Sequence, residues 1–350
     1  MTAKTLKKQR ITRESLNKSR LLELVNGLNK ARVLVLGDLI LDEYLLVKPE
    51  RISREAPVII YKYLDSNFKL GGAANAAANL TSLGVKTTLI GLSGDDAAAG
   101  SLETICLEQG ISLINIRDKT RLTTTKTRII SNSSSNADAG TGVKQQIVRV
   151  DREDSRDISK EDTQLIFNQL EQTVSGIDSV LLSDYSNGVL SDSLIRYSIK
   201  LCNQQNIKSI VDSNGDLLRF KGAYSFTPNQ PDTEALIGYK ITNDEDLEQA
   251  GIMLKSKLAS QELLITRGAK GMALFGETNL DLIPAFNLSE VFDVSGAGDT
   301  VSALYSAALA IGASPLEAAI LGNLAASIVV KKYGTATTSK EELIELIEGL

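Results

Sequence analysis

Residues 291–300 read Val-Phe-Asp-Val-Ser-Gly-Ala-Gly-Asp-Thr and lead directly into an apolar helical pattern. A Gly-Ala-Gly turn at the start of a helix leaves backbone N–H groups unpaired, and these groups together with the helix dipole favour a bound anion. Asp299 adds a carboxylate at the same place, where it could accept the proton of an attacking hydroxyl group. The alternative interpretation is a glycine-rich turn that Asp299 caps.

The overall composition is ordinary and gives no sign of several kinds of partner. Of the 350 residues, 43% are hydrophobic and 23% are charged, which is typical of one globular α/β domain or of two smaller ones. The net charge of −5 does not indicate nucleic acid or an anionic membrane as a partner. Cys106 and Cys202 lack metal-binding spacing and fit a reducing compartment. With no membrane-length apolar run and no signal-peptide pattern, we expect a cytoplasmic protein.

The chain contains no histidine, and this removes many catalytic systems. Ser-His-Asp and Cys-His nucleophiles, HxGH nucleotidyltransferase sites and histidine-ligated zinc are excluded. The sequence also lacks the P-loop pattern, the G-x-G-x-x-G fingerprint after a strand, and the H-R-D and D-F-G segments of protein kinases. Acid–base chemistry therefore falls to Asp, Glu, Lys, Tyr or Cys.

Apolar strands and helical patterns alternate along most of the chain. The run at 31–37 ends in Gly-Asp and is typical of a buried parallel strand. Similar strands are predicted at 87–91, 179–183, 207–212, 224–226, 262–266 and 272–275. This alternation predicts an α/β fold with a doubly wound, mostly parallel sheet over residues 31–350, preceded by an exposed, partly helical N-terminal extension at 1–30.

Two β-rich segments, at about 43–68 and 120–151, do not fit the alternation and are predicted to form a small β-sheet lid. Within the second segment, strands at 122–131 and 145–151 are expected to pair. The residues between them, 132–144, are rich in Ser, Asn and Gly and predict a flexible loop.

Carboxylates follow several of the predicted strands. Asp38 and Asp42 follow the first strand, whereas Asp184 and Asp212 lie at the ends of two later ones. Open α/β sheets bind ligands beyond the carboxyl ends of their strands, so this group could accept hydrogen bonds from sugar hydroxyls. Each aspartate alone is also an ordinary loop or cap residue.

Three further motifs carry possible chemistry, each with a simpler alternative. Gly71-Gly72-Ala-Ala-Asn75 opens a small-residue helix, where bare glycines let a ligand approach the backbone, or simply let the helix pack tightly. Thr266-Arg-Gly268 with Gly271 suits nucleotide phosphates or ribose, but a hairpin turn would have the same residues. Asn229 with Asp232 could hold Mg²⁺ through water, or form a Pro-Asn turn.

Taken together, these motifs resemble the PfkB (ribokinase-like) carbohydrate kinases. Gly71-Gly72 with Asn75 is similar to the N-terminal signature of that family, and 293–299 is similar to its C-terminal signature. The resemblance extends from about Ala31 to Thr338, in order and with matching spacing. Within the family, further segments resemble the heptose 7-phosphate kinases of lipopolysaccharide-core synthesis: Gly37-Asp38 with Leu41-Asp42, Arg51–Pro57, Thr124–Arg128, Val148–Asp154 and Ser183–Tyr185.

The resemblance implies a role for each matching residue. Asp299 would be the base, and the backbone amides of Gly296, Ala297 and Gly298 would form the anion hole for the transferring phosphoryl group. The residues that would hold the sugar or its phosphate are Asp38, Asp42, Gly71, Gly72, Asn75, Asp184, Arg51, Lys126 and Arg128. Arg54 and Lys221 are further candidate cations.

The resemblance also implies cofactors and partners. ATP would bind at Thr266, Gly268, Gly271 and Asn323, with Asn229 and Asp232 near Mg²⁺ and the phosphates. The loop of Asp293 and Ser295, with the Gly334 region, would hold a monovalent cation, K⁺. The lid would pair two subunits into a homodimer and exclude water on closing. A separate adenylyltransferase would act on the product.

Four positions depart from the heptose kinases in this resemblance. Asn187 and Asn214 stand where those kinases usually carry lysine, Asp232 replaces a glutamate, and Ser295 replaces a threonine. The lysines matter most, because charge-assisted contacts to phosphate are strong. The sequence therefore predicts a sugar kinase, with O1 of D-glycero-β-D-manno-heptose 7-phosphate as the leading acceptor. Another sugar or sugar phosphate is the alternative substrate, and a catalytically silent sugar or nucleotide sensor is the alternative of another class.

Overall fold

The computed structural model describes residues 6–132, 144–286 and 291–350. It contains two β-sheets, a ten-stranded one that forms the body of the molecule and a four-stranded one at its side. The loop predicted at 132–144 lies, apart from its two end residues, outside the described residues.

The ten-stranded sheet is parallel except at one edge. Its strands lie side by side in the order β1 (Lys7–Arg10), β14 (Asn279–Ile283), β13 (Met272–Phe275), β12 (Glu262–Thr266), β11 (Ser225–Phe226), β10 (Lys208–Ser213), β9 (Ser179–Asp184), β2 (Arg32–Gly37), β5 (Lys86–Gly94) and β6 (Ser112–Asp118). Only the β12–β13 and β13–β14 pairs are antiparallel among these described strands. The predicted doubly wound, mostly parallel sheet is confirmed.

Helices cover both faces of this sheet and form two separate cores. One face carries α1 (Lys18–Gly27), α2 (Ala73–Ser82), α3 (Ala97–Glu108), α8 (Ala297–Ala310), α9 (Pro315–Val329) and α10 (Lys340–Glu348). The other carries α4 (Lys160–Val174), α5 (Asp192–Gln204), α6 (Gln230–Ile237) and α7 (Asp244–Leu258). Successive residues of a strand face opposite sides of the sheet, so one strand can contribute to both cores. In strand β2, Val33 and Val35 lie in the first core, whereas Leu34 and Leu36 lie in the second.

The small sheet has the strand order β4 (Ile59–Gly72), β3 (Leu39–Ile52), β7 (Thr124–Asn132) and β8 (Lys144–Arg152). The predicted pairing of the two later strands is confirmed, because β7 and β8 are antiparallel partners. Strands β3 and β4 extend beyond the predicted β-rich segment at about 43–68 on both sides. Only Asp38 separates β2 from β3, and β4 ends at Gly72 directly before α2.

The N-terminal segment is part of the body rather than an exposed extension. Strand β1 pairs in parallel with β14 at the edge of the large sheet, and Leu21, Leu24 and Val25 of α1 are buried. The sequence of β1, Lys-Lys-Gln-Arg, is polar throughout because this edge strand has only exposed side chains, so no alternation marked it. Within the described parts of the chain, every helix is too short or too polar to span a membrane.

Candidate active site

The start of α8 is the geometric centre of the site. Gly296 precedes the helix with φ +76°, a conformation that favours glycine, and a Cβ on it would lie 2.6 Å from Asn75 Nδ2. The N–H of Ala297 donates to Val294 O at 3.2 Å, whereas the N–H groups of Gly296 and Gly298 have no partner among the described residues. Two of the three backbone N–H groups of the predicted anion hole, those of Gly296 and Gly298, are therefore free to bind an anion. The N–H of Ala297 is already hydrogen-bonded within the turn.

Asp299 lies in the first turn of α8 with only 3% of its surface exposed. Its Oδ2 accepts a hydrogen bond from Asn75 Nδ2 at 2.6 Å, and its Oδ1 accepts one from the hydroxyl of Tyr185. Burial, reinforced by the nearby carboxylate of Asp212, raises the pKa of Asp299 to about 7. A carboxylate with this pKa suits a general base near neutral pH.

Asp212, which was expected only as one of several strand-end carboxylates, lies near Asp299. It lies in the last part of β10, and Ser302 Oγ of α8 donates to its Oδ2 at 2.8 Å. Burial, opposed by the Ser302 hydrogen bond and reinforced by Asp232, raises the pKa of Asp212 to about 6. The sequence feature that pointed to Asp212 was its position at the end of a predicted parallel strand.

Asp38 and Asp184 both hold the loop after β9. Asp38 accepts the backbone N–H groups of Tyr185 at 2.6 Å, Asn187 at 3.2 Å and Val189 at 3.3 Å. Burial and the charge of Asp184 raise the pKa of Asp38 to about 6. Asp184 accepts the hydroxyl of Ser213 at 2.8 Å. These predicted sugar ligands are brought together, and each already fixes local structure.

Asp42 lies where the small sheet meets the body. Its Oδ1 accepts from Arg128 Nη1 at 2.5 Å, so β3 and β7 are joined by a buried ion pair. Gly71 lies on the neighbouring strand β4, opposite Ile40, and a Cβ on it would be 2.9 Å from Asp42 Oδ2. Lys126 is close by and pairs with Glu153 at 3.3 Å. Gly71, Gly72 and Asn75 follow one another from the end of β4 into α2, so these predicted sugar ligands share one region.

Arg51 is the predicted substrate cation that the structure does not bring to this place. It lies exposed near the far end of β3, nine residues beyond Asp42. At about 3.3 Å per residue, this separation amounts to roughly 30 Å along the strand.

A cavity of about 380 Å³ opens beside the start of α8. Thr266, Gly268, Gly271 and Asn323, the four residues predicted for ATP, all line it, together with Ala297, Gly298 and apolar side chains such as Val301. Its volume is in the range of small-ligand pockets. The structure thus places the predicted nucleotide residues around one cavity next to the anion hole.

The residues predicted for metal ions lie in two separate places, at the start of α6 and in the loop before α8. Asn229 caps α6 by accepting the N–H of Asp232 at 2.8 Å, and burial raises the pKa of Asp232. Asp293 accepts the N–H groups of Ser295 and Gly334, each at 2.9 Å, and so joins the two loops beside α8. In the described parts of the chain, no three Asp, Glu or Cys residues cluster as a metal site, so a Mg²⁺ ion here would depend on water and phosphate oxygens.

Tyr185 contacts Asp299, and the sequence did not predict this contact. Its neighbour Asp184 was singled out, but nothing in the order of residues showed that the hydroxyl of Tyr185 reaches Asp299, 114 residues away.

Solved structures of two sugar kinases share this architecture. Phosphofructokinase-2 from Escherichia coli in complex with potassium matches with a TM-score of 0.71 at 19% identity, over 91% of this chain and 99% of that one. Arabidopsis thaliana ribokinase complexed with ribose and ATP matches with a TM-score of 0.68 at 21% identity, over the same shares. The fold is therefore the ribokinase-like α/β fold.

Residues 30–342 match the family described as pfkB family carbohydrate kinase, and the chain belongs to that family. It is thus a carbohydrate kinase, and the family implies ATP and Mg²⁺. The bifunctional protein HldE of a Nitratiruptor species is 39% identical over 316 residues, and that of Trichlorobacter lovleyi is 40% identical over 319. Each alignment covers 90% of this chain, but the chain spans only 65% and 62% of those two relatives.

Proposed function

We propose that this protein transfers the γ-phosphoryl group of ATP to O1 of D-glycero-β-D-manno-heptose 7-phosphate, with Asp299 as the base. The observation that carries the proposal is the place of Asp299, a buried carboxylate in the first turn of α8, directly after two free backbone donors and near the strand-end carboxylate of Asp212. The similarity to the HldE proteins and to the motifs of heptose 7-phosphate kinases supports this acceptor.

The proposed reaction is an in-line displacement. Asp299 accepts the proton of the sugar O1 hydroxyl while O1 forms a bond to the γ-phosphorus and the bond to the β–γ bridging oxygen breaks, releasing ADP. The free N–H groups of Gly296 and Gly298 donate to the oxygens of the transferring group. A Mg²⁺ ion near Asn229 and Asp232 would neutralise phosphate charge.

Arg128 and Lys126 lie next to the proposed sugar ligands and are candidate cations for the 7-phosphate. Asn187 replaces one of the lysines of the heptose kinases, and its Nδ2 is buried without a hydrogen-bond partner among the described residues. The amide of Asn187 can donate a hydrogen bond but carries no charge, so the 7-phosphate would rely on cations elsewhere, such as Lys126 and Arg128. A different sugar or sugar phosphate is the alternative acceptor.

A homodimer through the lid is part of the proposal. The small sheet and its turn expose several large apolar side chains: Ile52, Val58, Ile59, Tyr63, Leu64, Ile147, Val148 and Val150. Large exposed apolar surfaces mark sites of protein association, and a second copy of the chain would cover this one. Ile59→Glu should weaken the dimer in sedimentation, while Leu107→Glu, at an exposed site on α3, should not.

Three further parts of the proposal follow from the site and the family. K⁺ would bind at the loops that Asp293 joins, next to the anion hole. A separate adenylyltransferase would consume the sugar phosphate that the kinase makes. Both activities use soluble nucleotides, so we place the enzyme in the cytoplasm.

The experiment that tests the proposal measures ADP release with Mg²⁺ and K⁺ against D-glycero-D-manno-heptose 7-phosphate, fructose 6-phosphate, ribose and fructose. Turnover of the heptose phosphate alone supports the proposed acceptor. Turnover of another sugar only would mean that Asn187 and Asn214 mark a changed substrate. Binding of sugar or ATP without any turnover would favour a sensor.

A further inference from the structure

Tyr185 touches three functional parts of the molecule. Its hydroxyl donates to Asp299 Oδ1, and its backbone N–H donates to Asp38 Oδ2 at 2.6 Å. The Nζ of Lys126, on lid strand β7, lies 5.9 Å from the centre of its ring. One residue thus contacts the proposed base, the end of the large sheet and the lid.

The two oxygens of Asp299 are held by donors from different elements. Asn75 of α2 holds Oδ2 at 2.6 Å, and Tyr185, after β9, holds Oδ1. Two such donors fix the plane of the carboxylate. A carboxylate has about four lone-pair sites, so each oxygen keeps one for a sugar hydroxyl.

We propose that Tyr185 is a positioning residue for Asp299, and that Lys126 of the lid steadies its ring in that position. The inference rests on the proposed role of Asp299 as base. Tyr185 does not exchange a proton with substrate; it orients the group that does.

The electrostatics agree with this geometry. Burial and the charge of Asp299 hold the pKa of Tyr185 well above its usual range, so the phenol remains a donor. The carboxylates of Asp212 on β10 and Asp42 on β3 raise the pKa of Asp299, while the hydrogen bonds from Tyr185 and Asn75 lower it. The hydrogen bond from Tyr185 therefore favours the ionised form of Asp299, whereas burial and the carboxylates of Asp212 and Asp42 favour its protonated form.

The lid contact gives the arrangement a second support. Lys126 is also paired with Glu153 of the loop that follows β8, which holds its ammonium near the Tyr185 ring. A cation near an aromatic face is attracted to it, and the attraction grows as the pair is removed from water. Removal of that contact should loosen the ring without removing the hydroxyl.

The test compares Tyr185→Phe with Tyr197→Phe in the full chain. Tyr197 on α5 is a matched control, because its hydroxyl also donates to a carboxylate, that of Glu171, but away from the site. In Tyr185→Phe we expect kcat to fall roughly ten- to a hundredfold, as for a lost hydrogen bond to a charged group. The acid limb of its kcat–pH profile should move to higher pH by about half a unit or more. Both KM values should stay within about threefold of wild type, and Tyr197→Phe should match wild type.

If the acid limb of the kcat–pH profile of Tyr185→Phe coincides with that of wild type, the inference is wrong. It is also wrong if the KM for the sugar rises strongly while the acid limb does not move. If Tyr185→Phe does not fold, Lys126→Met tests the inference instead: the limb moves in the same direction by less, and Lys126→Arg restores it. No movement in Lys126→Met overturns the lid contact. Asp299→Asn keeps the two proposals apart, because activity surviving there would remove the base assignment itself.

Discussion

The proposed nucleotide side and the proposed sugar side of this site are built in different ways. The residues proposed for ATP line one cavity that combines glycines, such as Gly268, Gly271 and Gly298, with apolar side chains such as Val301. The sugar side consists of charged side chains that bond across distant elements, such as Asp42 with Arg128. Backbone donors serve any nucleoside triphosphate, whereas side-chain pairs can change with the acceptor. We therefore expect substitutions on the proposed sugar side to change the choice of acceptor more than substitutions around the nucleotide cavity.

The sharpest way to break this comparison is Asp299→Asn. Loss of the general base should lower kcat by about a thousandfold, within the usual contribution of such groups. ATP affinity should stay within a few-fold, because the nucleotide cavity does not include the carboxylate. Calorimetric titration with a non-hydrolysable ATP analogue, beside the ADP-release assay, measures both; activity within a few-fold of wild type would contradict the assignment.

On the sugar side, Arg128→Met should cost the most stability. It leaves the buried carboxylate of Asp42 without its partner, and breaking a buried pair in this way destabilises a protein by about 3 kcal/mol. Urea unfolding measures the change. The double variant Asp42→Asn, Arg128→Met should regain most of it, and failure to do so would mean that Arg128 acts through other contacts.

Gly296→Ala tests the backbone side. The left-handed φ of +76° and a Cβ placed 2.6 Å from Asn75 Nδ2 together predict a loss of about 2 kcal/mol in stability. Gly298→Ala is the control for unfolding, since its Cβ would meet nothing within 4 Å. Thermal melting compares the stabilities of Gly296→Ala and Gly298→Ala. Equal stabilities would contradict the prediction, because they would show that the turn at 296 adjusts to accept a side chain.

A smaller effect is expected from Asp212→Asn, which removes a like charge near Asp299. The acid limb of kcat should move to lower pH by roughly half a unit, opposite to Tyr185→Phe. Stability should respond as well, because the pKa of Asp212 is raised from 3.8 to about 6 in the folded protein. The stabilisation that protonated Asp212 gives the wild-type protein is lost as the pH rises from about 4 to about 6. The free energy of unfolding of Asp212→Asn, measured over the same pH range, should not show this decrease.

The smallest expected effect sharpens the sugar side. Asn214 is exposed near Asp184, so Asn214→Lys should fold normally and add a cation. The KM for a phosphorylated sugar should fall roughly two- to fivefold, as expected of an exposed charge. Fructose serves as the uncharged control, and an equal change for both sugars would show that the lysine does not read the phosphate.

The sequence predicted the parts of this molecule that depend on local pattern. Buried strands such as 179–183 have an apolar centre, here Val180–Leu182, and the turn at Gly296 needs glycine for its own backbone. Both features can be recognised from neighbouring residues in the sequence. Strand β1 was missed because its side chains are all exposed. The Tyr185–Asp299 contact and the Asp42–Arg128 pair were not predictable, because their partners come together only when distant strands pair.

The junctions between the two sheets have a mechanical consequence. Asp38 alone separates β2 from β3, and Gly72 ends β4 directly before α2. The proposed lid therefore joins the body of the molecule through the proposed sugar ligands themselves. A movement of the small sheet would also move Asp42 and Gly71. A lid exchanged between relatives would bring its own sugar site along, so acceptor choice and lid motion change together.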